Sequence, residues 1–539
     1  MPRVLICDKL ESSGTELLQH AGLEVDNRPG LTGTQLQQAL QAADAAIVRS
    51  QTRITAQLLD QPGKLRAIAR AGVGVDNIDV AAATRRGIVV MNTPGGNTIS
   101  AAEHTIALLF ALARHVPAAD GSVKAGKWER GKFVGTQLAG KTIGIIGLGR
   151  IGREVARRAA GLDMKVVGYD PFLTPERAAE LGFEAVAKVE ELFPRCDFLT
   201  VHVPLTDETK SLIGEKELKL LKPGCRLLNV ARGGVINEAA LAAALKSGQV
   251  AGAALDVFSA EPLPADSPLL QAPNVVLTPH LGASTVEAQE NVAREAALLL
   301  IDFLTKGIVS CAVNMAAVDR AELEEVRQYI DLAHRLGLLQ AQMAESAINR
   351  VEITYRGDVT KKGTSLITQA FVAGLLEKRL AESVNLVNAE MLARERGIEV
   401  VATSSPKKGD FSTLIQTDVS TEKRKNTASG TLFGNQYLRL VQVGPFRLDT
   451  YLDGTMLIFP HRDVPGLIGH IGTIFGRHHV NIARMAMGRE SPGGEAIAVL
   501  NLDNEPSPAA LTQVKGHPAI HSLTVVKLPS AGEMPAWLG

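Results

Sequence analysis

The sequence predicts an α/β protein in which a doubly wound parallel sheet is joined to further, smaller units. Short apolar runs alternate with helical patterns across residues 1–94 and again from Lys141 to Leu277. A glycine-rich turn interrupts that alternation once. After Asn314 the regular alternation of apolar runs and helical patterns ends. Alternating strands and helices favour parallel sheets with helices on both faces. With 539 residues, the chain is expected to form about three or four domains.

The stretch from Lys141 to Asp170 is the central element of this pattern. An apolar run ends at Ile146, a G-x-G-x-x-G turn opens a helical pattern, and the next apolar run ends in Asp170. The three glycines are Gly147, Gly149 and Gly152. In this order they permit a tight turn, a close approach of backbone N–H groups to a pyrophosphate, and close packing of the helix on the strand. A glycine triplet alone also occurs in ordinary loops, but the flanking strand, helix and acid together predict dinucleotide binding. An acid at this position binds a ribose 2′-OH and repels a 2′-phosphate, which favours NAD over NADP.

Two lobes are predicted for the first 314 residues. The strands of the first unit are expected at Arg3–Cys7, Ala45–Val48, Leu65–Ala69 and Ile88–Met91. The apolar helix Ser100–Val116 is suited to crossing between two domains. A long helix from Ser284 to Lys306 is expected to return the chain to the first unit, which makes that unit discontinuous and leaves a cleft where ligands usually bind.

The second sheet is predicted to have six main strands and a short one near Phe183. The main strands are Thr142–Ile146, Lys165–Tyr169, Asp197–Val203, Arg226–Val230, Val250–Leu255 and Val275–Leu277. Three polar residues follow the last three strands: Arg232, Glu261 and His280. Each alone would often be a surface ion pair or a capping residue, but the carboxyl ends of parallel strands share one crevice.

These three residue types suit the oxidation of a 2-hydroxy acid by a nicotinamide. The reaction needs a base that accepts the hydroxyl proton, and an imidazole can act as this base near neutral pH. A neighbouring carboxylate orients the imidazole and favours its protonated form. An arginine can hold the substrate carboxylate with two parallel hydrogen bonds.

The C-terminal part is predicted to contain two further units. A charged helix over 319–345 is followed by the strand-like RVEITYRG and a helix from about Leu366 to Lys378. Residues 405–430 are polar and basic and are interpreted as a solvated loop in preference to a nucleic-acid site. From Thr455 the pattern β-α-β-β-α-β appears, which is the ferredoxin-like order.

Composition narrows the possible partners. Basic and acidic residues both number 57, so no net charge favours nucleic acid or an anionic membrane. No apolar run reaches spanning length, and the N-terminus lacks the basic and apolar regions of a signal peptide. The adjacent His478 and His479 lie on different faces, so no metal site is expected. The cysteines are far apart and are expected to be reduced thiols: Cys7, Cys196, Cys225 and Cys311. These features predict a cytoplasmic protein.

Several blocks of the sequence resemble the D-isomer-specific 2-hydroxyacid dehydrogenases. GLGRIG…YDP, NVARGGVINE, ALDVFSAEP and NVVLTPHLGAST are similar to the signature blocks of that family, over roughly residues 1–314. RAGVGVDNIDV, VMNTPGGNTISAAEHT and WERGKF are similar to the branch that acts on 3-phosphoglycerate. The last unit resembles an ACT regulatory domain, and residues 315–454 resemble the extra domain of long members.

The resemblance implies a domain plan. A discontinuous flavodoxin-like α/β substrate domain would comprise 1–97 and 283–314, around a Rossmann-type NAD domain at 98–282. An intervening α+β regulatory domain would follow at 315–454, and a ferredoxin-like ACT domain at 455–539.

The resemblance also implies residue roles. His280 would be the acid/base, Glu261 its partner and Arg232 the carboxylate anchor. Backbone N–H groups of Arg150 and Ile151 would bind the pyrophosphate. Near the nicotinamide the family places Val203, Ala231, Asp256 and Gly282, with Val73 where relatives often carry a hydroxyl residue. The substrate positions are Arg49, Ser50, Arg70 and Asn97.

In the ACT unit, the positions that bind an effector serine in some relatives are His461, Asp463 and Asn481, with Asp463 replacing an amide. The resemblance therefore implies NAD-dependent oxidation of 3-phospho-D-glycerate to 3-phosphooxypyruvate, the first step of L-serine biosynthesis, in a homodimer or homotetramer with L-serine as a candidate effector. Two alternatives stay open: a dehydrogenase for another D-2-hydroxy acid such as glycerate/glyoxylate, and a non-enzymatic NAD-sensing corepressor.

Overall fold

Four sheets follow one another along the chain. The computed structural model describes residues 1–173, 175–180, 182–315, 320–380, 383–434 and 437–535. The start of the helix predicted at residue 319 and the last four residues of the unit predicted for 455–539 lie outside these ranges. The first two sheets are parallel α/β layers, and the last two are largely antiparallel.

The first sheet is parallel and has the strand order β2-β1-β3-β4-β5, which is flavodoxin-like. Its strands are β1 (Arg3–Ile6), β2 (Glu24–Asn27), β3 (Ala45–Val48), β4 (Ala67–Arg70) and β5 (Val89–Asn92). The helices that follow them are α1 (Ser12–His20), α2 (Gly33–Ala42), α3 (Ala56–Leu59) and α4 (Val80–Arg85). The edge strand β2 was not predicted, because its sequence EVDN is polar and none of its residues is buried.

The second sheet is also parallel, in the order β12-β11-β10-β9-β6-β7-β8, which confirms the Rossmann-type fold. Its strands are β6 (Thr142–Ile146), β7 (Lys165–Tyr169), β8 (Glu184–Ala185), β9 (Phe198–Val201), β10 (Arg226–Asn229), β11 (Gly252–Leu255) and β12 (Val275–Leu277). The helices are α5 (Thr98–Ala113), α6 (Val116–Lys124), α7 (Arg150–Ala160), α8 (Pro175–Glu180), α9 (Glu215–Leu220) and α10 (Glu238–Ser247). The short β8 lies beside the position predicted near Phe183.

The helix predicted for Ser100–Val116 is broken. Between α5 and α6 the backbone of His115 has φ +54°, a left-handed conformation that ends α5. In the described part of the chain no single helix is long and apolar enough to cross a membrane, whereas α5 and α6, bent by 62°, pass that test only as a pair.

Helix α11 (Val286–Lys306) packs against the first sheet. Its residues Val292, Ala296 and Leu300 are buried in one core with Val4 and Ile6 of β1. The segment after α11 then runs along β5, where the Asn314 side chain accepts a hydrogen bond from the Val90 N–H at 2.9 Å. The first lobe is therefore discontinuous, and the chain crosses twice between the lobes.

The third sheet mixes one parallel and four antiparallel pairings, in the order β14-β13-β15-β16-β17-β18. Its strands are β13 (Ile348–Gly357), β14 (Glu399–Ser405), β15 (Thr413–Thr421), β16 (Lys425–Phe433), β17 (Tyr437–Val443) and β18 (Phe446–Tyr451). The helices are α12 (Arg320–Met343), α13 (Thr364–Leu376) and α14 (Ala389–Glu395).

The prediction of a solvated loop over 405–430 is wrong for most of that stretch, because β15 and β16 form an antiparallel hairpin there. The basic side chains at its turn pair with acids, as in the Arg424–Glu345 contact at 3.1 Å and the Lys425–Glu352 contact at 3.2 Å.

The fourth sheet is antiparallel, in the order β20-β21-β19-β22, which confirms the ferredoxin-like fold. Its elements are β19 (Thr455–Arg462), α15 (Leu467–Arg477), β20 (Ile482–Arg489), β21 (Glu495–Leu502), α16 (Pro508–Lys515) and β22 (Thr524–Lys527). Met456 and Val526 on one face of this sheet are buried in the same core as Leu332 of α12. The last two units therefore share one hydrophobic core.

A buried arginine fastens these two units together. Arg335 of α12 and its partner Asp331 have side chains that are only 1% and 3% exposed. Its Nε donates to Asp331 Oδ1 at 2.8 Å. Its other two nitrogens donate to four carbonyl oxygens of the last unit and its approach: those of Leu452, Pro529, Ser530 and Glu533. All its donors are therefore used.

Replacing Arg335 with Ala is expected to destabilise the C-terminal half by about 3–5 kcal/mol, because Asp331 would be left buried without its cation. Urea unfolding of the full chain measures the change. The control is Arg447→Ala, which removes an exposed pair with Asp410 and should cost about 0–1 kcal/mol. Equal effects of the two variants would contradict the role of Arg335.

Candidate active site

The turn after β6 has contacts that only glycine permits. Gly147 has φ +92°, and a Cβ on it would lie 2.6 Å from the carbonyl oxygen of His202. A Cβ on Gly152 would lie 2.0 Å from the carbonyl oxygen of Gly147, so α7 packs directly on the turn. At Gly149, by contrast, no atom of the described residues lies within 4 Å of the Cβ position. The backbone at Gly149 is therefore open to a ligand.

Helix α7 begins at Arg150, immediately after this open backbone. The N–H groups of a helix's first turn, here including those of Arg150 and Ile151, have no acceptor within the helix. They carry partial positive charge and bind phosphate groups in other proteins. The turn and the start of α7 fit the pyrophosphate of a dinucleotide.

The carboxylate of Asp170, directly after β7, is fixed beside the glycine turn. One oxygen accepts from the Leu148 N–H and the other from the Phe172 N–H, both at 2.8 Å. A carboxylate oxygen has a second lone pair, so both can still accept hydrogen bonds from ribose hydroxyls. The same negative charge disfavours a 2′-phosphate.

The residues predicted near the nicotinamide are spread over several loops. Val203 packs on the glycine turn, with its Cγ1 2.9 Å from the Cβ position of Gly147. The Ala231 N–H donates to Asn229 Oδ1 at 3.0 Å, and the Gly282 N–H donates to Asp256 Oδ2 at 2.8 Å. Val73 belongs to the first lobe, where its carbonyl oxygen accepts from the Asn92 side chain at 2.5 Å.

His280 and Glu261 are in direct contact. Nδ1 of His280 lies 2.7 Å from Glu261 Oε2, and the other carboxylate oxygen accepts from the Phe258 N–H at 3.0 Å. Both side chains are partly exposed, at 47% and 37%. Because Nδ1 is occupied, Nε2 is the ring nitrogen left for a substrate proton.

Arg232 follows β10, which is two strands from β12 and its His280. The backbone at Arg232 is held by Asn229, whose Nδ2 donates to the Arg232 carbonyl at 2.8 Å. The side chain reaches the first lobe, where Nε donates to Asp76 Oδ2 at 3.0 Å. Nη2 lies 1.9 Å from the Cβ position of Gly74, so a side chain there would displace the guanidinium. Arg232 thus bridges the two lobes.

Arg49 and Arg70 supply further positive charge from the first lobe. Within the described residues the buried Nε atoms of both have no hydrogen-bond partner, although Arg49 donates through Nη1 to the Lys9 carbonyl at 3.0 Å. Burial, and next the neighbouring Arg232, lower the pKa of Arg70 to about 10, with a smaller contribution from Arg49. Crowded guanidinium groups whose donors are unused favour an anionic ligand.

The two remaining predicted substrate residues are Asn97 and Ser50. Asn97 precedes α5 without capping it, and its buried Oδ1 has no partner among the described residues. Ser50 is exposed directly after Arg49.

Each of the three residues predicted to bind an effector makes polar contacts with different neighbouring residues. His461 is 1% exposed, and its Nδ1 contacts the Arg462 carbonyl at 2.9 Å. Asp463 accepts from the Gly493 N–H at 3.1 Å and from Arg489 at 2.9 Å, contacts that in this order lower the pKa of its carboxyl. Asn481 donates to Asp503 at 2.6 Å. Across the described ranges, none of the three hydrogen-bonds to another.

Sequence reasoning missed Asp76, Asn229 and His104, each of which holds part of this site. Asp76 lies in the quoted block RAGVGVDNIDV, Asn229 in NVARGGVINE and His104 in VMNTPGGNTISAAEHT, so the blocks contained all three positions. His104 contacts Asp256 across 152 positions, a pairing that no local pattern indicates.

Family models match three stretches of the chain. Residues 106–282 match the D-isomer specific 2-hydroxyacid dehydrogenase NAD binding domain, 325–444 the D-3-phosphoglycerate dehydrogenase intervening domain, and 455–518 the ACT domain. The chain is 42% identical to D-3-phosphoglycerate dehydrogenase of Archaeoglobus fulgidus, over 98% of this chain and 100% of that one. It is 41% identical to the enzyme of that name from Bacillus subtilis, with the same coverage.

Solved structures resemble the catalytic half. A glyoxylate reductase from Paecilomyes thermophila is 30% identical with a TM-score of 0.53, over 58% of this chain and 98% of that one. A D-2-hydroxyisocaproate dehydrogenase is 27% identical with a TM-score of 0.52, over 58% and 99%.

The two-lobed α/β fold, the glycine turn and the polar residues at neighbouring strand ends define the class: an NAD-dependent dehydrogenase of D-2-hydroxy acids. Both appended domains narrow the class further. The chain belongs to the D-3-phosphoglycerate dehydrogenase family, because relatives of that name match it over nearly their full length.

Gly152→Ala is expected to weaken NAD binding at least tenfold, about 1.4 kcal/mol, because its Cβ would push α7 away from the glycine turn. Titration calorimetry of the full chain measures the Kd. Gly161→Ala, at the other end of α7, is the control, since its nearest contact would be an ordinary 3.4 Å. Unchanged affinity in Gly152→Ala would show that the close packing is not needed.

Proposed function

We propose that this chain oxidises 3-phospho-D-glycerate to 3-phosphooxypyruvate with NAD, the first step of L-serine biosynthesis. The observation that carries the proposal is the arrangement of charge in the cleft. One lobe contributes the His280–Glu261 pair and Arg232, and the other contributes Arg49 and Arg70 with unused donors. A substrate with a phosphate at one end and a carboxylate at the other complements both sets.

Each catalytic side chain has one task in this proposal. When bound, NAD supplies a nicotinamide ring that can take up the hydride released from C2. His280 accepts the hydroxyl proton at Nε2, so that the C2–O bond becomes a carbonyl as hydride leaves. Glu261 holds the ring through Nδ1 and stabilises the imidazolium that forms. Arg232 binds the substrate carboxylate and polarises the new carbonyl.

The phosphate is assigned to Arg49, Ser50, Arg70 and Asn97. The NAD contacts are assigned to the glycine turn, Asp170, and the loops of Val203, Ala231, Asp256 and Gly282, with Val73 approaching from the other lobe. The domain boundaries are assigned as 1–97 with 283–314, 98–282, 315–454 and 455–539. Closure of the lobes over the cleft would exclude water from hydride transfer.

Regulation is assigned to the ACT domain, with L-serine as the effector at His461, Asp463 and Asn481. Buried His461 Nε2, which has no partner within the described residues, is available to such a ligand. NADH production with and without L-serine measures the effect, and an unchanged rate across serine concentrations excludes this effector.

We assign a homodimer or homotetramer as the working form. Several large apolar side chains on α5, α6 and the loop after them are exposed: Phe110, Val116, Val123, Trp128 and Val134. A patch of this kind marks an interface, and light scattering of the purified chain gives its mass.

A cytoplasmic location agrees with the cysteines, three of which are buried free thiols, and burial raises the pKa of Cys7 to about 12.

A substrate comparison tests the proposal. The chain should produce NADH with 3-phosphoglycerate and far less with D-glycerate, and Arg70→Met should lower kcat/KM for the phosphorylated acid by about 30-fold or more, roughly 2 kcal/mol. The variant should leave D-glycerate turnover nearly unchanged. Arg28→Met, an exposed arginine paired with Asp26, is the control. Preference for D-glycerate or glyoxylate would select another hydroxy acid, and NAD binding without turnover would select the corepressor.

His280→Ala is expected to lower kcat at least about a hundredfold, because no other group would take the hydroxyl proton. NAD binding should persist, since the glycine turn and Asp170 are untouched. Steady-state kinetics and calorimetry give the two quantities, and near-normal turnover in the variant would refute the role of His280.

A further inference from the structure

A histidine outside the assigned catalytic set contacts the network beneath His280. His104 lies on α5, and its Nε2 is 3.1 Å from Asp256 Oδ1 and 3.2 Å from Thr278 Oγ1. The Asp256 side chain is only 1% exposed, and that of His104 is 19% exposed. Since a carboxylate offers only acceptors, the ring donates through Nε2–H.

Asp256 is the hub of this network. Besides His104, its carboxylate accepts from Thr278 Oγ1 at 2.6 Å, from the Leu281 N–H at 2.7 Å and from the Gly282 N–H at 2.8 Å. Burial alone would raise the pKa of Asp256. The hydrogen bonds, with that from His104 the largest of them, outweigh burial and lower this pKa below its ordinary value. Asp256 therefore stays a charged, fully satisfied buried group.

The backbone at His280 depends on the same hub. His280 has φ +55°, a left-handed conformation that is uncommon and costly for a residue with a side chain. Its N–H donates to the Asp256 carbonyl at 2.9 Å, and the two following N–H groups donate to the Asp256 carboxylate. Three consecutive N–H groups bound to one residue hold the turn in this conformation.

Of the donors to this carboxylate within the described residues, only His104 comes from outside the 278–282 segment. His104 also lies on α5, the helix that begins just after the chain first crosses from one lobe to the other. Near the second crossing, Ser100 of the same helix hydrogen-bonds to Thr285 at 2.7 Å. Helix α5 thus contacts the His280 turn and both crossings.

We infer that His104 is a positioning residue for proton transfer: by donating to Asp256, it fastens the turn that carries His280 to α5 and so keeps Nε2 aligned with the substrate hydroxyl. This inference rests on the proposed dehydrogenase function. His104 itself takes no proton from substrate. Its loss changes the placement of His280, so it acts on kcat more than on binding.

Two amide substitutions whose side chains differ in length by one methylene group test this role. His104→Gln places an amide N–H at the reach of Nε2, whereas His104→Asn is one methylene shorter and cannot reach Asp256. His104→Asn and His104→Leu should lower kcat by about 10- to 100-fold, with little change in KM or in the Kd of NAD. His104→Gln should recover most of the lost rate. His20→Leu, at an exposed histidine on α1, controls for loss of an imidazole.

Melting temperatures of all variants identify unfolding, and the polar Asn/Gln pair decides the question if the Leu variant does not fold. Turnover of His104→Asn equal to that of the unmodified chain overturns the positioning role, as does a His104→Gln that is no faster than His104→Asn. A rise in KM or in the Kd of NAD with kcat unchanged also overturns it. Absence of NADH production by the unmodified chain refutes instead the proposed function itself.

Discussion

The return of α11 to the first sheet is the constraint on which the active site depends. The apolar face of α11 is buried against β1 and its neighbours, so the chain must cross between lobes twice. Because the carboxyl ends of the strands of a parallel sheet lie on one edge, each sheet presents its loops there. Side chains far apart in sequence, such as Asp76 and Arg232, meet across that cleft.

Positive charge is concentrated in the cleft at a cost that an anion would offset. Arg70 is partly buried near Arg232 and Arg49, and its lowered pKa reports that burial and this repulsion disfavour its charge. Asp76 offsets part of the repulsion, but its side chain is 66% exposed and so binds Arg232 weakly. A buried charged group without its partner is costly, whereas a charge-assisted hydrogen bond to phosphate or carboxylate is strong. The same imbalance therefore favours an anionic substrate.

Local patterns predicted most of the fold, and the failures have physical causes. The strands of the second sheet are continuous apolar runs, and the glycine spacing follows from contacts within one turn, so both were visible in the sequence. β2 is a polar edge strand, and the break at His115 is a change of one backbone angle. The β15–β16 hairpin was hidden by its basic turn, although TLIQTDVST alternates buried and less buried positions in its first half. The contacts of Asp76 and His104 span 156 and 152 positions, so only the three-dimensional structure could pair them.

The two units of the C-terminal half are held together more firmly than that half is held to the substrate lobe. Its two units share a hydrophobic core, and Arg335 ties them with bonds that are almost entirely buried. The contact with the substrate lobe is smaller: Val387 packs against the core of that lobe, Asn385 donates to the Gly87 carbonyl at 2.9 Å, and Arg85 pairs with Glu395 at 3.0 Å on the surface. Exposed pairs contribute about 0–1 kcal/mol each, whereas breaking a buried pair costs about 3–5 kcal/mol. Separating α14 from α4 would therefore cost less free energy than separating the two C-terminal units from each other. Since α4 leads into β5, this contact joins the C-terminal half to the sheet whose strand β4 ends in Arg70.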